Sequence, residues 1–203
     1  MILGLAVIAG VLAGLFFARW NKETWQPPAL RHIWLVVVFF LPQLFAFYLP
    51  ATQNLFPAPL AAASLVISQL GLLTFCILNW RRAGISILTI GLLLNFVVIL
   101  ANGGWMPISP ETVAQLVTPD AALHLEPGKR LGASKDILLA ADAIVFPWLA
   151  DRFAPPDWIP YRFAFSVGDI FIGAGAFILL AFPKQNTAFL QKESTHHANQ
   201  SNF

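Results

Sequence analysis

Charge is scarce in this sequence: 11% of its 203 residues are Asp, Glu, Lys or Arg. A soluble domain carries roughly 25%, because charge keeps its surface in water. The shortage excludes an ordinary water-facing surface. The net charge of +2, with basic residues scattered along the chain, excludes the clustered footprint of a nucleic-acid binder. With one cysteine, Cys76, there is no intramolecular disulfide. Its place in an apolar run reads as a small buried side chain. No phosphate-binding glycine loop, no Gly-x-Ser-x-Gly elbow and no cysteine-based zinc pattern is present. His32, His124, His196 and His197 lack metal-ligand spacing, so neither a metal nor a cofactor is expected.

What is abundant is apolar. Hydrophobic residues make up 58% of the chain and the mean hydropathy is +0.70. A membrane-crossing helix needs about 20 mostly apolar residues. Five runs come close: Ile2–Ala18, Ile33–Leu49, Leu60–Leu78, Gly84–Ala101 and Phe165–Phe182. Backbone amides inside a bilayer must bond within their own segment, so runs of this length read as helices. The expected fold is all-α: a polytopic transmembrane bundle of about five spans with a long outer loop containing short helices. Residues 1–183 form the membrane domain, and the polar tail 184–203 is expected to be disordered.

The first run lacks a basic start and is followed by Arg19 and Lys22, the reverse of a secretory signal, so it reads as a retained span. Its Gly10-x-x-x-Gly14 allows another helix to approach closely. Arg19, Lys22, Arg31, Arg81, Arg82, Lys184 and Lys192 all fall on one side if the N-terminus is outside and the C-terminus inside.

The segment from Asn102 to about Ala164 is the only one long enough to build something beyond the bilayer. Ser109-Pro110-Glu111 predicts a helix start. Ser134 predicts the cap of a second helix running from Lys135 to about Phe146. The apolar stretch Ile137–Leu149 is short for a span and reads as interfacial, re-entrant or buried.

Polar groups at membrane depth are costly and call for partners. Gln43, Gln69, Asn79, Asn95 and Asp169 are the candidates. Ser166 and Asp169 fit an N-cap and its capping-box partner. Asn102-Gly103-Gly104 predicts a sharp reversal using positive φ, and Asn95 lies two turns before Asn102 on the same face. The expected polar network is therefore Asn95, Asn102, Gly103, Gly104, Ser166 and Asp169, with Gln43 and Gln69 as intramembrane amides.

The pairing of Asn102-Gly103-Gly104-x-Met106-Pro107 with Phe165-Ser166-x-Gly168-Asp169 resembles a family of small bacterial multi-span membrane proteins of unknown function. The resemblance covers roughly Ile2 to Phe182 and implies a bacterial inner-membrane setting without an activity. Phe165-Ser166-Val167-Gly168-Asp169 is also similar to the Phe-Asn-x-Ala-Asp motif of the lipoprotein signal peptidases. That resemblance implies a membrane aspartic protease with Asp169 and a second carboxylate, Asp142, as its dyad. Ser166 and Gly168 depart from that motif, and Asp142 lacks the Gly-Asn-x-x-Asp-Arg surroundings of those enzymes. The leading expectation is a non-enzymatic subunit, scaffold or accessory of a membrane assembly, in contact with lipid and with other membrane proteins. A small-solute transporter or channel component is the second reading.

Overall fold

The computed structural model describes residues 2–53, 55–118, 124–132, 134–156 and 158–183. The expected C-terminal tail lies outside them. Long helices dominate: α1 (Ile2–Trp20), α2 (Trp34–Gln43), the single turn α3 (Pro50–Gln53), α4 (Ala58–Leu78) and α5 (Ala83–Ala101). A two-stranded sheet follows, β1 (Met106–Ile108) and β2 (Asp136–Leu138), with the short helix α6 (Pro110–Val113) between them, and α7 (Val167–Ala181) closes the chain. Ile2–Trp20, Ala58–Leu78 and Gly84–Ala101 are each long and apolar enough to cross a membrane. The apolar helical stretches Trp34–Tyr48 and Val167–Ala181 are shorter. Pro42 explains the first of these. It has no amide to donate, and the helix relaxes into a π-helical turn over Leu44–Tyr48.

The helices pack in the order α1, α7, α5, α4, α2, each chiefly against its neighbours in that row. Glycine sets the closest approaches. Gly84 and Gly91 of α5 lie against Gly175 and Gly168 of α7, and a Cβ at any of the four would run into the facing backbone or side chains. The pairing runs Gly84 to Gly175 and Gly91 to Gly168, so α5 and α7 are antiparallel. Gly10 and Gly14 of α1 meet Phe177 and Leu180, while Gly173 meets Ile2 and Ala6, so α1 and α7 are parallel. Without a hydrophobic drive between apolar helices in lipid, such close packing is what holds them together.

This order puts α1 and α2, neighbours in sequence, at opposite edges of the row. The 13 residues between Trp20 and Trp34 connect them, turning at Asn21–Lys22 and again at Arg31–Ile33 and running without helix in between. They form a strap across one end of the row, with Pro27 and Pro28 disfavouring helix at its middle. Trp25 Nε1 donates to the Leu180 carbonyl of α7 at 3.1 Å, and Arg82 Nη2, just before α5, donates to the Ala29 carbonyl at 3.2 Å. Asn79, at the end of α4, holds the backbone of Arg31: its Oδ1 accepts from Arg31 N at 2.8 Å and its Nδ2 donates to Arg31 O at 3.0 Å.

The opposite end carries a cap built from the described residues between 102 and 166. Gly103 and Gly104 take φ of +72° and +87°, so α5 stops at Ala101 and the chain reverses as the sequence predicts. Ser109 caps α6, its hydroxyl accepting from Thr112 N. The helix expected from Lys135 to Phe146 is absent. Asp136–Leu138 is instead β2, parallel to β1 in the register Met106 to Asp136 through Ile108 to Leu138, and a 3-10 turn follows at Ala141–Ala143. Ser134 does cap, but its hydroxyl accepts from Asp136 N, two residues on, which turns the chain into the strand rather than a helix. Asp151 continues the sheet, its N–H donating to Pro107 O at 3.1 Å. Trp105, Met106 and Leu149 of the cap share one apolar core with Phe47, Leu65, Val98 and Ile99 of the helices.

Candidate functional site

The polar groups concentrate where the cap meets α5 and α7. Ser166 starts α7 with a complete capping box: its hydroxyl accepts from Asp169 N at 3.0 Å, and Asp169 Oδ2 accepts from Ser166 N at 3.1 Å. Asn95 joins from α5, donating from Nδ2 to Asp169 Oδ1 at 3.0 Å and accepting from Ser166 Oγ at 2.9 Å. Gly168 makes this possible, because a Cβ there would occupy the place of the Asn95 amide. Both oxygens of Asp169 are thus engaged by the protein itself.

Beside this network lies a buried ion pair. Lys135 Nζ donates to Asp151 Oδ2 at 2.7 Å and lies 3.5 Å from Asp136 Oδ1. The Asp151 side chain is 1% exposed and that of Lys135 is 34% exposed. Asp151 Oδ1 is buried with no hydrogen-bond partner among the described residues. Burial drives the Asp151 carboxyl well above the ordinary range. Lys135 pulls it back in part, while the charges of Asp136 and Asp169 add to the rise. Lys135 itself is held above its ordinary value: desolvation opposes its charge, but Asp151, Asp136 and Asp169 outweigh that cost.

Arg130 ties the cap to the end of α2. Its guanidinium sits over the rings of Phe47 (4.7 Å) and Trp105 (5.4 Å), and it donates to Ala46 O at 3.1 Å and Ser134 O at 2.6 Å.

The structure brings some of the sequence-predicted residues together and leaves the others apart. Asn95, Ser166 and Asp169 are bonded to one another. Asn102 sits at the end of α5 and holds the Val145 backbone from both sides, accepting from its N–H at 3.0 Å and donating to its carbonyl at 2.9 Å. Gln69 is buried in α4, its Oε1 without a partner among the described residues, as is the Oγ of Ser68 beside it. Gln43 is half-buried at the end of α2, and Asp142 is exposed in its 3-10 turn. The carboxylate near enough to feel the charge of Asp169 is Asp151. Sequence reasoning passed over Asp151, Lys135 and Arg130. The available signal for Asp151 was an acid directly after the uncharged run Ile144–Ala150.

A mostly helical chain with three membrane-length apolar helices and its buried charges gathered at one end defines an integral membrane protein. The chain belongs to the DUF5317 family, a family of unknown function, whose model matches residues 28–181. The match begins within the strap, so α1, included in the resemblance expected from the sequence, lies outside it. No curated protein and no solved structure matches the chain.

Proposed function

We propose that this chain is a five-span protein of the bacterial cytoplasmic membrane, N-terminus outside and C-terminus inside, serving as a non-catalytic subunit or scaffold of a membrane assembly. The alternation of α1, α2, α4, α5 and α7 supports the span count, with α2 completed by its π-helical turn. The Lys and Arg bias supports the orientation, which puts the strap inside and the cap outside. The observation that carries the scaffold reading is the engagement of five polar side chains where the cap meets the helices. Asp169, Ser166, Asn95, Asn102 and Arg130 all bond other parts of the chain. These groups hold the cap and the helices together, leaving the exposed flanks of α1 and α2 as the surfaces for partner helices.

The test is purification in a gentle detergent with identification of co-purifying proteins. A stoichiometric membrane partner, lost when large residues replace small ones on the exposed face of α1, is expected. Recovery of the chain alone from native membranes under several detergents would overturn the reading.

A transporter or channel component is the second reading. It is favoured by Ser68 Oγ and Gln69 Oε1, two buried acceptors in the middle of α4 without partners among the described residues. The protease reading has less to draw on, since both oxygens of Asp169 are already bonded and Asp142 stands in an exposed turn.

A further inference from the structure

The segment Ala143–Ala150 carries no charge and has two sides. Ile144, Leu149 and Ala150 are buried in the cap, while Val145, Phe146 and Trp148 are 45%, 41% and 55% exposed. Phe146 takes a φ of +60°, a conformation that an aromatic residue adopts only when its surroundings impose it. Beside it Asn102 holds the chain, its side chain gripping the Val145 backbone through two hydrogen bonds, while Ile144 and Leu149 are buried on either side. Asn102 follows α5 directly, and α5 has 19 residues, about 28 Å at 1.5 Å per residue. That matches the roughly 30 Å hydrocarbon core. The end of α5, and the segment tied to it, therefore lie at the boundary between hydrocarbon and headgroups. The exposed stripe of α5, through Leu93, Val97 and Leu100, leads up to the same level. Tryptophan and other aromatic rings favour this depth.

We infer that the Val145–Trp148 tip is a lipid anchor, held by Asn102 so that the Phe146 and Trp148 rings insert into the headgroup region of the outer leaflet. Its occupant is phospholipid, because the tip continues the lipid-facing surface of α5 and holds no charge for a protein partner to read. The segment therefore neither spans the bilayer nor stands in water. The inference rests on the spanning reading of α5, and the two can fail separately.

The test uses the full chain with Cys76→Ser and one labelled cysteine, reconstituted in phosphatidylethanolamine–phosphatidylglycerol vesicles. Quenchers are carried at the lipid headgroup, at mid-chain or in the water. A fluorophore at Phe146→Cys, and independently at Trp148→Cys, is expected to lose most fluorescence to the headgroup quencher. A label at Leu93→Cys is expected to respond to the mid-chain quencher, and one at Glu126→Cys to the aqueous quencher alone. Adding Asn102→Ala should shift the Phe146 label toward the aqueous response. Leu93 quenched at mid-chain while both tip labels respond to water, or to the mid-chain quencher, would overturn the anchor. Leu93 quenched from water would overturn the spanning reading instead.

Discussion

Asn79 and Asn102 perform the same operation at opposite ends of the molecule, in different surroundings. Each follows the last turn of a helix and donates to the carbonyl four residues back, Asn79 to Phe75 O and Asn102 to Val98 O. Each then grips a distant backbone from both sides, Arg31 in one case and Val145 in the other. In both, the next residue takes a positive φ, +53° at His32 and +60° at Phe146. An asparagine amide can do this because it presents one acceptor and two donors, the complement of a backbone N–H and C=O with a donor to spare. The difference is exposure. Asn79 is 7% exposed and works inside the protein, whereas the bonds from Asn102 to Val145 are exposed. The strap hangs on its clip and a few further bonds. The cap has its clip, a sheet, a buried ion pair and an apolar core shared with the helices. One device can therefore be a principal fastening at one end and an orienting detail at the other.

The largest expected effect sharpens the contrast by attacking what only the cap possesses. Lys135→Met leaves Asp151 without its cation. Breaking a buried pair from one side costs about 3–5 kcal/mol, and the exposed third of Lys135 places this change at about 3 kcal/mol at pH 9, where the parent Asp151 is ionised and that of the variant, no longer pulled back by Lys135, must take up a proton. At pH 6 the carboxyl holds a proton in both chains, and the cost should be smaller. Unfolding in detergent at the two pH values checks this. An equal loss at both would mean that Asp151 never changes charge.

The unmodified chain should show the companion effect. The Asp151 carboxyl is raised from 3.8 to about 8, chiefly by burial. Between those values the folded chain holds a proton that the unfolded chain has released. The stability from this group is thus full below the lower value and lost as pH rises through about 8. The melting temperature in detergent should fall from pH 5 to pH 9, and Asp151→Asn should flatten that slope. A rise over the same interval would reverse the assignment of the proton. Nothing comparable is expected from the strap end.

Next in size is Asn79→Ala, which removes the inner clip. It strands the N–H and carbonyl of Arg31 and the Phe75 carbonyl in a place that water reaches poorly. At about 1 kcal/mol per lost bond, with a further cost for groups left unsatisfied, the loss should be about 2–3 kcal/mol. Asn79→Asp should do little better, because a carboxylate cannot donate to either carbonyl. Recovery of full stability by the aspartate would show that only the Arg31 N–H bond matters.

How much of this was legible depended on sequence distance. The Ser166–Asp169 capping box was readable because it is complete within four residues. The reversal at Gly103 and Gly104 was readable because glycine marks its own conformational freedom. The order of the helices was not, since hydropathy locates apolar runs without saying which lie side by side. The seven-residue glycine spacing shared by Gly84 and Gly91 with Gly168 and Gly175 was the signal for the α5–α7 contact, and it passed unread. Lys135 looked like the start of a helix because local propensity cannot see that β1, nearly thirty residues earlier, offers a partner strand. Asp151 stayed hidden for the same reason: its partner Lys135 is sixteen residues away and meets it through the sheet.

The smallest effect is the one that tests the comparison most directly. Asn102→Ala deletes the same two grips on a distant backbone as Asn79→Ala, together with the same bond to the preceding turn. If the device had a fixed value, the two alanine variants would be equally destabilised. They should not be. The Val145 N–H and carbonyl are exposed, so polar surroundings can take over their bonds, and the net worth of a solvated hydrogen bond is about 0.5–1.5 kcal/mol. Phe146 can relax from its positive φ once released, which returns some of the strain. The neighbouring Ile144, Leu149 and Ala150 remain buried and keep the segment near its place. A loss of about 1 kcal/mol follows, half or less of that for Asn79→Ala. Amide exchange should separate the two changes further. The Val145 N–H should lose its protection in Asn102→Ala without a change at Met106 or Asp151, whereas Asn79→Ala should loosen the Arg31 amide together with the start of α2. Equal destabilisation by the two alanines, or loss of protection across the whole cap in Asn102→Ala, would show that the outer clip bears as much of the fold as the inner one.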